Sequence, residues 1–164
     1  MKKTLFYIAL LGSIIAITVH IFAVLGVDVA DTLPFIWVLH IGIFVVWIPT
    51  ILSLKEQQKE NKEANAFTIL TKDKPKWIIA VIIGIAIYTG LNFMLFMSKA
   101  IEGTPLEKNG VYSLHNRGTH IRDITKEEYH LHGANILRGF SGHWILFYTV
   151  AAIALYKPKQ EDEK

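Results

Sequence analysis

The sequence predicts an all-α membrane protein, a four-transmembrane-helix bundle with a small extracytoplasmic β-hairpin segment between helices 3 and 4. Three observations predict it. The 164 residues are 52% hydrophobic with a mean hydropathy of +0.35, too apolar for an ordinary soluble domain of this size. The charges are segregated, leaving long windows free of Asp, Glu, Lys and Arg. Those windows match the run of about 18 or more apolar residues that a hydrocarbon layer of roughly 30 Å requires.

The first span covers about 5–27 and follows Lys2 and Lys3. A cleaved signal peptide is the alternative reading, but the apolar stretch exceeds a typical h-region and Ile21-Phe22-Ala23 is a poor cleavage site. The second span, about 33–54, opens on Leu33-Pro34, which suits a helix's first turn. The third, about 77–98, is introduced by Lys74-Pro75-Lys76 and closed by Lys99. The fourth, about 139–156, is flanked by Arg138 and Lys157. All four are expected to be helical, because only a helix satisfies its own backbone groups in hydrocarbon.

Orientation follows from the basic residues of the short connections. Lys2, Lys3, Lys55, Lys59, Lys62, Lys72, Lys74 and Lys76 collect on one side, whereas 28–32 holds no basic residue; the long third connection holds Lys99, Lys108, Arg117, Arg122, Lys126 and Arg138, so the first short loops set the direction. This places both termini in the cytoplasm and the chain in the inner (cytoplasmic) membrane, with residues 99–138 outside. The loop from Lys55 to Lys76 is expected to prolong the second helix into water and return through Phe67 to Leu70 at the interface. The charged tail from 157 to 164 is expected to stay in water.

In the outer segment, Gly103-Thr104-Pro105 and Asn109-Gly110 are turn signals. Val111 to His115 and Thr119 to Ile124 flank Asn116-Arg117-Gly118 and read as a hairpin with glycine at the left-handed position. Thr125 and Glu128 have capping-box spacing, so the fourth helix is expected to start near Lys126, above the membrane. The stretch from Gly110-Val111-Tyr112 through Arg138-Gly139-Phe140-Ser141-Gly142-His143-Trp144 resembles small uncharacterised multi-pass bacterial membrane proteins, a resemblance that implies no activity.

The chain has no cysteine, which excludes disulfide scaffolds, thiolate metal sites and thiol redox chemistry. A phosphate-binding glycine loop, H-E-x-x-H and a nucleophile elbow are also missing. No Asp or Glu lies inside a span, against a small proton-coupled exporter. The net charge of +3 records orientation in the membrane, not a nucleic-acid partner. Asp28 and Asp31 are expected to be solvated in the first outer turn.

The candidate site is a set of intramembrane polar residues. Counted at 1.5 Å per residue, His20, His40, Asn92 and His143 all fall roughly 7 to 11 Å below the outer surface. His20 shares a small-residue stripe with Ala9, Ser13, Ala16 and Ala23, which turns it into the bundle. The short turn between helices one and two is expected to make them neighbours, bringing His20 beside His40. Two readings follow. One is a buried hydrogen-bond network in a non-catalytic subunit or interaction protein, whose partners are the lipid bilayer and other membrane subunits. The other is a small b-type haem or transition-metal redox protein ligated by His20, His40 and His143, with Gly139 and Gly142 giving a porphyrin room. A lipid, quinone or small-molecule site is the third expectation. Arg138 is the candidate for an anion or lipid headgroup, which would need a second cation nearby. The outer His115, His120, His130 and His132 are read as solvated rather than as a zinc or copper site. Trp37, Trp77 and Trp144 are expected to anchor the interfaces, and Trp47 to pack between helices.

Overall fold

Charge-free windows become helices at each expected place. The computed structural model describes residues 2–72 and 74–156, so the tail expected to stay in water lies outside the described residues. Helix α1 runs Lys2–Val24, a short α2 runs Val29–Thr32, and a 3₁₀ turn over Pro34–Trp37 leads into α3, Val38–Glu60. A short α4, Ala66–Thr71, precedes α5, Lys76–Ala100. Three strands follow, β1 Thr104–Lys108, β2 Val111–Asn116 and β3 Thr119–Asp123, and then α6, Lys126–Leu155. The helices containing the four spans are all long and apolar enough to cross a membrane.

The outer segment differs from expectation by one strand. It is a three-stranded antiparallel sheet in the order β1-β2-β3 rather than a hairpin. Pro105 lies in β1, an edge strand, where a missing N–H costs least. Two-residue turns at Asn109-Gly110 and Arg117-Gly118 place all four residues at positive φ, the conformation that matches the twist of a hairpin. The capping box forms as expected: Thr125 accepts from Glu128 N and the Glu128 carboxylate accepts from Thr125 N, both at 3.0 Å. The same carboxylate takes a forked pair of bonds from Arg122 at 3.0 and 3.3 Å, fastening β3 to the first turn of α6.

Helix α6 is the centre of the bundle. More than half of its spanning window, 56%, is buried, against 33% for α1 and 17% for α3 and α5. It is also the least apolar of the four. Lipid tails are as apolar as leucine, so burying apolar surface does not draw helices together in a membrane; close packing and hydrogen bonds do. The chain buries the helix richest in small and hydroxylated residues and turns its most apolar helices outward, the arrangement that a lipid surrounding favours.

Small residues set the close approaches. The α1 stripe of Ala9, Ser13, Ala16, His20 and Ala23 is buried, and Ser13 and Thr149 share a hydrogen bond at 2.7 Å. On the α5 side, Gly139 receives the ring of Phe96 and Gly142 receives the amide of Asn92. The space expected for a porphyrin is therefore filled by α5 side chains. Tyr148 inserts its ring against Gly12 of α1 and its hydroxyl against Gly42 of α3, and that hydroxyl donates to Leu39 O at 2.8 Å. A tyrosine of α6 thus fills a slot between α1 and α3.

The end of the bundle opposite the sheet is tied by lysines. Lys2 Nζ donates to Ser53 Oγ at 3.1 Å, and Lys74 Nζ donates to Tyr156 O at 2.8 Å and stands over the Tyr156 ring. Leu70 of α4 is buried with Ile82 and Val150, so the return segment docks on the bundle.

Candidate functional site

Two of the four expected site residues come together, His20 and Asn92, both against Gly142 in the Arg138 to Gly142 turn of α6. His20, 5% exposed, places Nδ1 2.8 Å from Ser141 Oγ and makes a short bond through Nε2 with the Tyr88 hydroxyl. One direction of donation satisfies the whole chain of groups. Ser141 donates to Arg138 O at 3.3 Å, so its oxygen accepts from His20 Nδ1–H, and His20 Nε2 then accepts from Tyr88. Asn92, 3% exposed, donates to Arg138 O at 3.0 Å, and Thr89 donates to Gly142 O at 3.2 Å. Thr89 and Asn92 stand three apart on α5, so both meet the same stretch of α6.

His40 and His143 lie elsewhere. The His40 ring sits among Phe44, Phe140 and Trp144 on an exposed face of α3, and its Nδ1 accepts from Trp144 Nε1 at 3.1 Å. His143 donates from Nδ1 to Gly139 O at 2.9 Å and meets the edge of Phe93 at 5.3 Å. Residues two apart on a helix are about 200° apart, so His143 cannot share the face of Ser141. His40 is kept from His20 because α6, not α3, is the main partner of α1. The depth counted along each helix did not predict a common centre. Among the described residues, no three His, Cys, Asp or Glu side chains are grouped to hold a metal ion.

Trp144 corrects its expected role as an interface anchor, being fully buried beneath Trp37 and bonded to His40. Trp77 is exposed as an anchor would be, while Trp47 packs on Phe147. Each outer histidine has its own local contact. His115 and His120 meet edge to face, with His115 3.0 Å from Ser113 Oγ and His120 2.9 Å from Asp123. His130 approaches Asp31, and His132 approaches Glu102, at 3.9 Å.

Asp28 also departs from expectation. It caps α2 by accepting from Ala30 N at 3.1 Å and lies half-buried against Gly133 of α6. Burial pushes its carboxyl above the usual range, opposed by the backbone N–H groups of Asp31 and Ala30.

Arg138 has a distinct position. Its backbone carbonyl receives Asn92 and Ser141, yet its guanidinium makes no hydrogen bond or ion pair among the described residues, and Nε is buried. The side chain lines a cleft at the sheet end of the bundle together with Lys99, Arg122 and His132. The second cation that an anion site needs is therefore present. Residue order groups Arg122 with Arg138 among the arginines of residues 99–138 but does not add Lys99, which closes α5; only the fold brings Lys99 to the α6 face. In this setting the chain matches no known protein family, no curated protein and no solved structure.

Proposed function

We propose that the chain is a four-span protein of the cytoplasmic membrane, with both termini in the cytoplasm, acting as a non-catalytic subunit or interaction protein. In this reading the His20, Ser141, Tyr88 and Asn92 network fixes the register of α1 and α5 on α6 and thereby holds the outer cap in place. The engagement of both ring nitrogens of His20 inside the bundle carries the proposal. An imidazole bonded at both nitrogens has no free lone pair for a metal, whereas it is well suited to locking three helices together. Its partners are the bilayer and other membrane subunits. The apolar outward faces of α3 and α5 suit either.

The test joins spectrum to stability. Purified full-length protein is expected to lack a Soret band. His20→Ala is expected to lower the unfolding free energy by about 1–2 kcal/mol, the scale of two buried intramembrane hydrogen bonds. A Soret band in the wild type that disappears in His20→Ala would replace this reading with the haem one.

Orientation has its own check. Cysteines introduced at Lys108 and Lys62 should respond oppositely to a membrane-impermeant thiol reagent in intact cells, only Lys108→Cys being labelled. The positive-inside distribution of the short loops supports this direction, and the reverse labelling overturns it.

A further inference from the structure

The sheet end of the bundle contains a cleft of about 390 Å³ whose floor is one stripe of α6. Glu128, Leu131, Asn135 and Arg138 lie on that stripe at helical spacing. The outer ends of α1 and α5 and Arg122 of β3 form the walls.

Charge inside the cleft does not cancel. Three permanent cations, Lys99, Arg122 and Arg138, face two carboxylates, Glu102 and Glu128. Arg122 takes both oxygens of Glu128, while Glu102 is approached by Lys99 at 3.6 Å and His132 at 3.9 Å. Arg138 remains, with a buried Nε that has no acceptor. A guanidinium N–H withdrawn from water without an acceptor is costly, and native proteins rarely leave one so; the rest of the Arg138 head group lines the open cleft. Its planar fork of donors matches the oxygens of phosphate, where an ammonium offers only a point charge. Val24 on the wall and Leu131 on the floor are both about half exposed, so apolar surface lies beside the cations.

We propose that this cleft binds a phosphate-bearing anion, with the Arg138 guanidinium as its principal ligand and Lys99 as the supporting cation. A phospholipid headgroup and a small free phosphate ester share this chemistry. Bound phosphate would give Arg138 its missing acceptors and would link α5 to α6 through one group. The inference rests on the membrane reading above only in placing Arg138 at the height of the headgroups.

The test uses the full chain in a neutral, phosphate-free detergent and follows its melting temperature. Three additions are compared: phosphatidylglycerol, glycerol 1-phosphate and phosphatidylcholine. At least one of the first two should raise the melting temperature of the wild type, since a ligand that binds only the folded state stabilises it. The concentration needed for half the effect should rise at least tenfold in Arg138→Gln and several-fold in Lys99→Gln, with partial recovery in Arg138→Lys. Protection by phosphatidylglycerol alone identifies a headgroup site, and equal protection by glycerol 1-phosphate identifies a free-anion site. Protection of the wild type by none of the three, or equal protection of wild type and both Gln variants, overturns the proposal. Lys99 is exposed at the end of α5, so Lys99→Gln keeps the test decisive if Arg138→Gln does not fold. Reversed cysteine labelling with Arg138-dependent phosphate binding would remove the orientation and leave the anion site standing. Correct labelling with no binding would do the opposite.

Discussion

Trp144→Ala is expected to be the most damaging single substitution in the bundle, costing about 3–5 kcal/mol, the range for removing a large buried aromatic side chain. Trp144 is fully buried, stacked edge to face with Trp37 and bonded through its indole to His40. Two losses follow from its truncation. The indole volume becomes a void whose lining loses dispersion contacts, and His40 Nδ1 loses its donor. Their sizes differ. Hydrogen bonds between membrane helices average about 0.6 kcal/mol by double-mutant cycles, so the void should dominate. Reversible unfolding of the purified chain in mixed micelles is the measurement. Trp144→Phe and His40→Ala should each cost much less than Trp144→Ala. If His40→Ala equals Trp144→Ala, the bond and not the packing holds this region together.

Gly12→Val is the second large effect expected. A Cβ at this position falls on the ring of Tyr148, whose hydroxyl is held by Leu39 O and abuts Gly42. Overpacking of this kind costs about 1–3 kcal/mol. The strain belongs to a pair, so it should vanish with its partner. Tyr148→Ala alone destabilises by leaving a void, but Gly12→Val added to it should cost little or fill part of that void. Strict additivity of the two changes would mean that the slot is softer than its geometry implies. Gly42→Val should behave in the same way toward Tyr148.

These two sites mark the boundary of what could be read from residue order. The positions of the long helices were legible because charge-free apolar windows mark them, and helix starts were legible where local chemistry writes them, as at Thr125 and Glu128. Azimuth was not. Which faces meet depends on which helices are neighbours, and the short turn after α1 suggested α3 as the main partner, whereas α6 occupies that place. The signal for a central α6 was present in Gly139, Ser141, Gly142 and Thr149, small or hydroxylated residues in the least apolar span. Once α6 is central, His20 turns to Ser141, and His40 is left to receive Trp144 on another side. Strand β1 was hidden by Pro105, which reads as a turn residue until an edge strand gives it a place. The charge on Arg138 was legible as a candidate, but its companions arrive from α5 and β3 only through tertiary structure.

Helix α6 is one uninterrupted element of 30 residues, roughly 45 Å from the capping box to its far end. Such a shaft does not compress. The sheet is clamped to its first turn by Arg122 and Glu128, and Tyr156, just past its last residue, is held by Lys74. A pull on the sheet therefore reaches the far end of α6 as a tilt, a rotation or a piston-like shift, with three surrounding helices serving as the bearing.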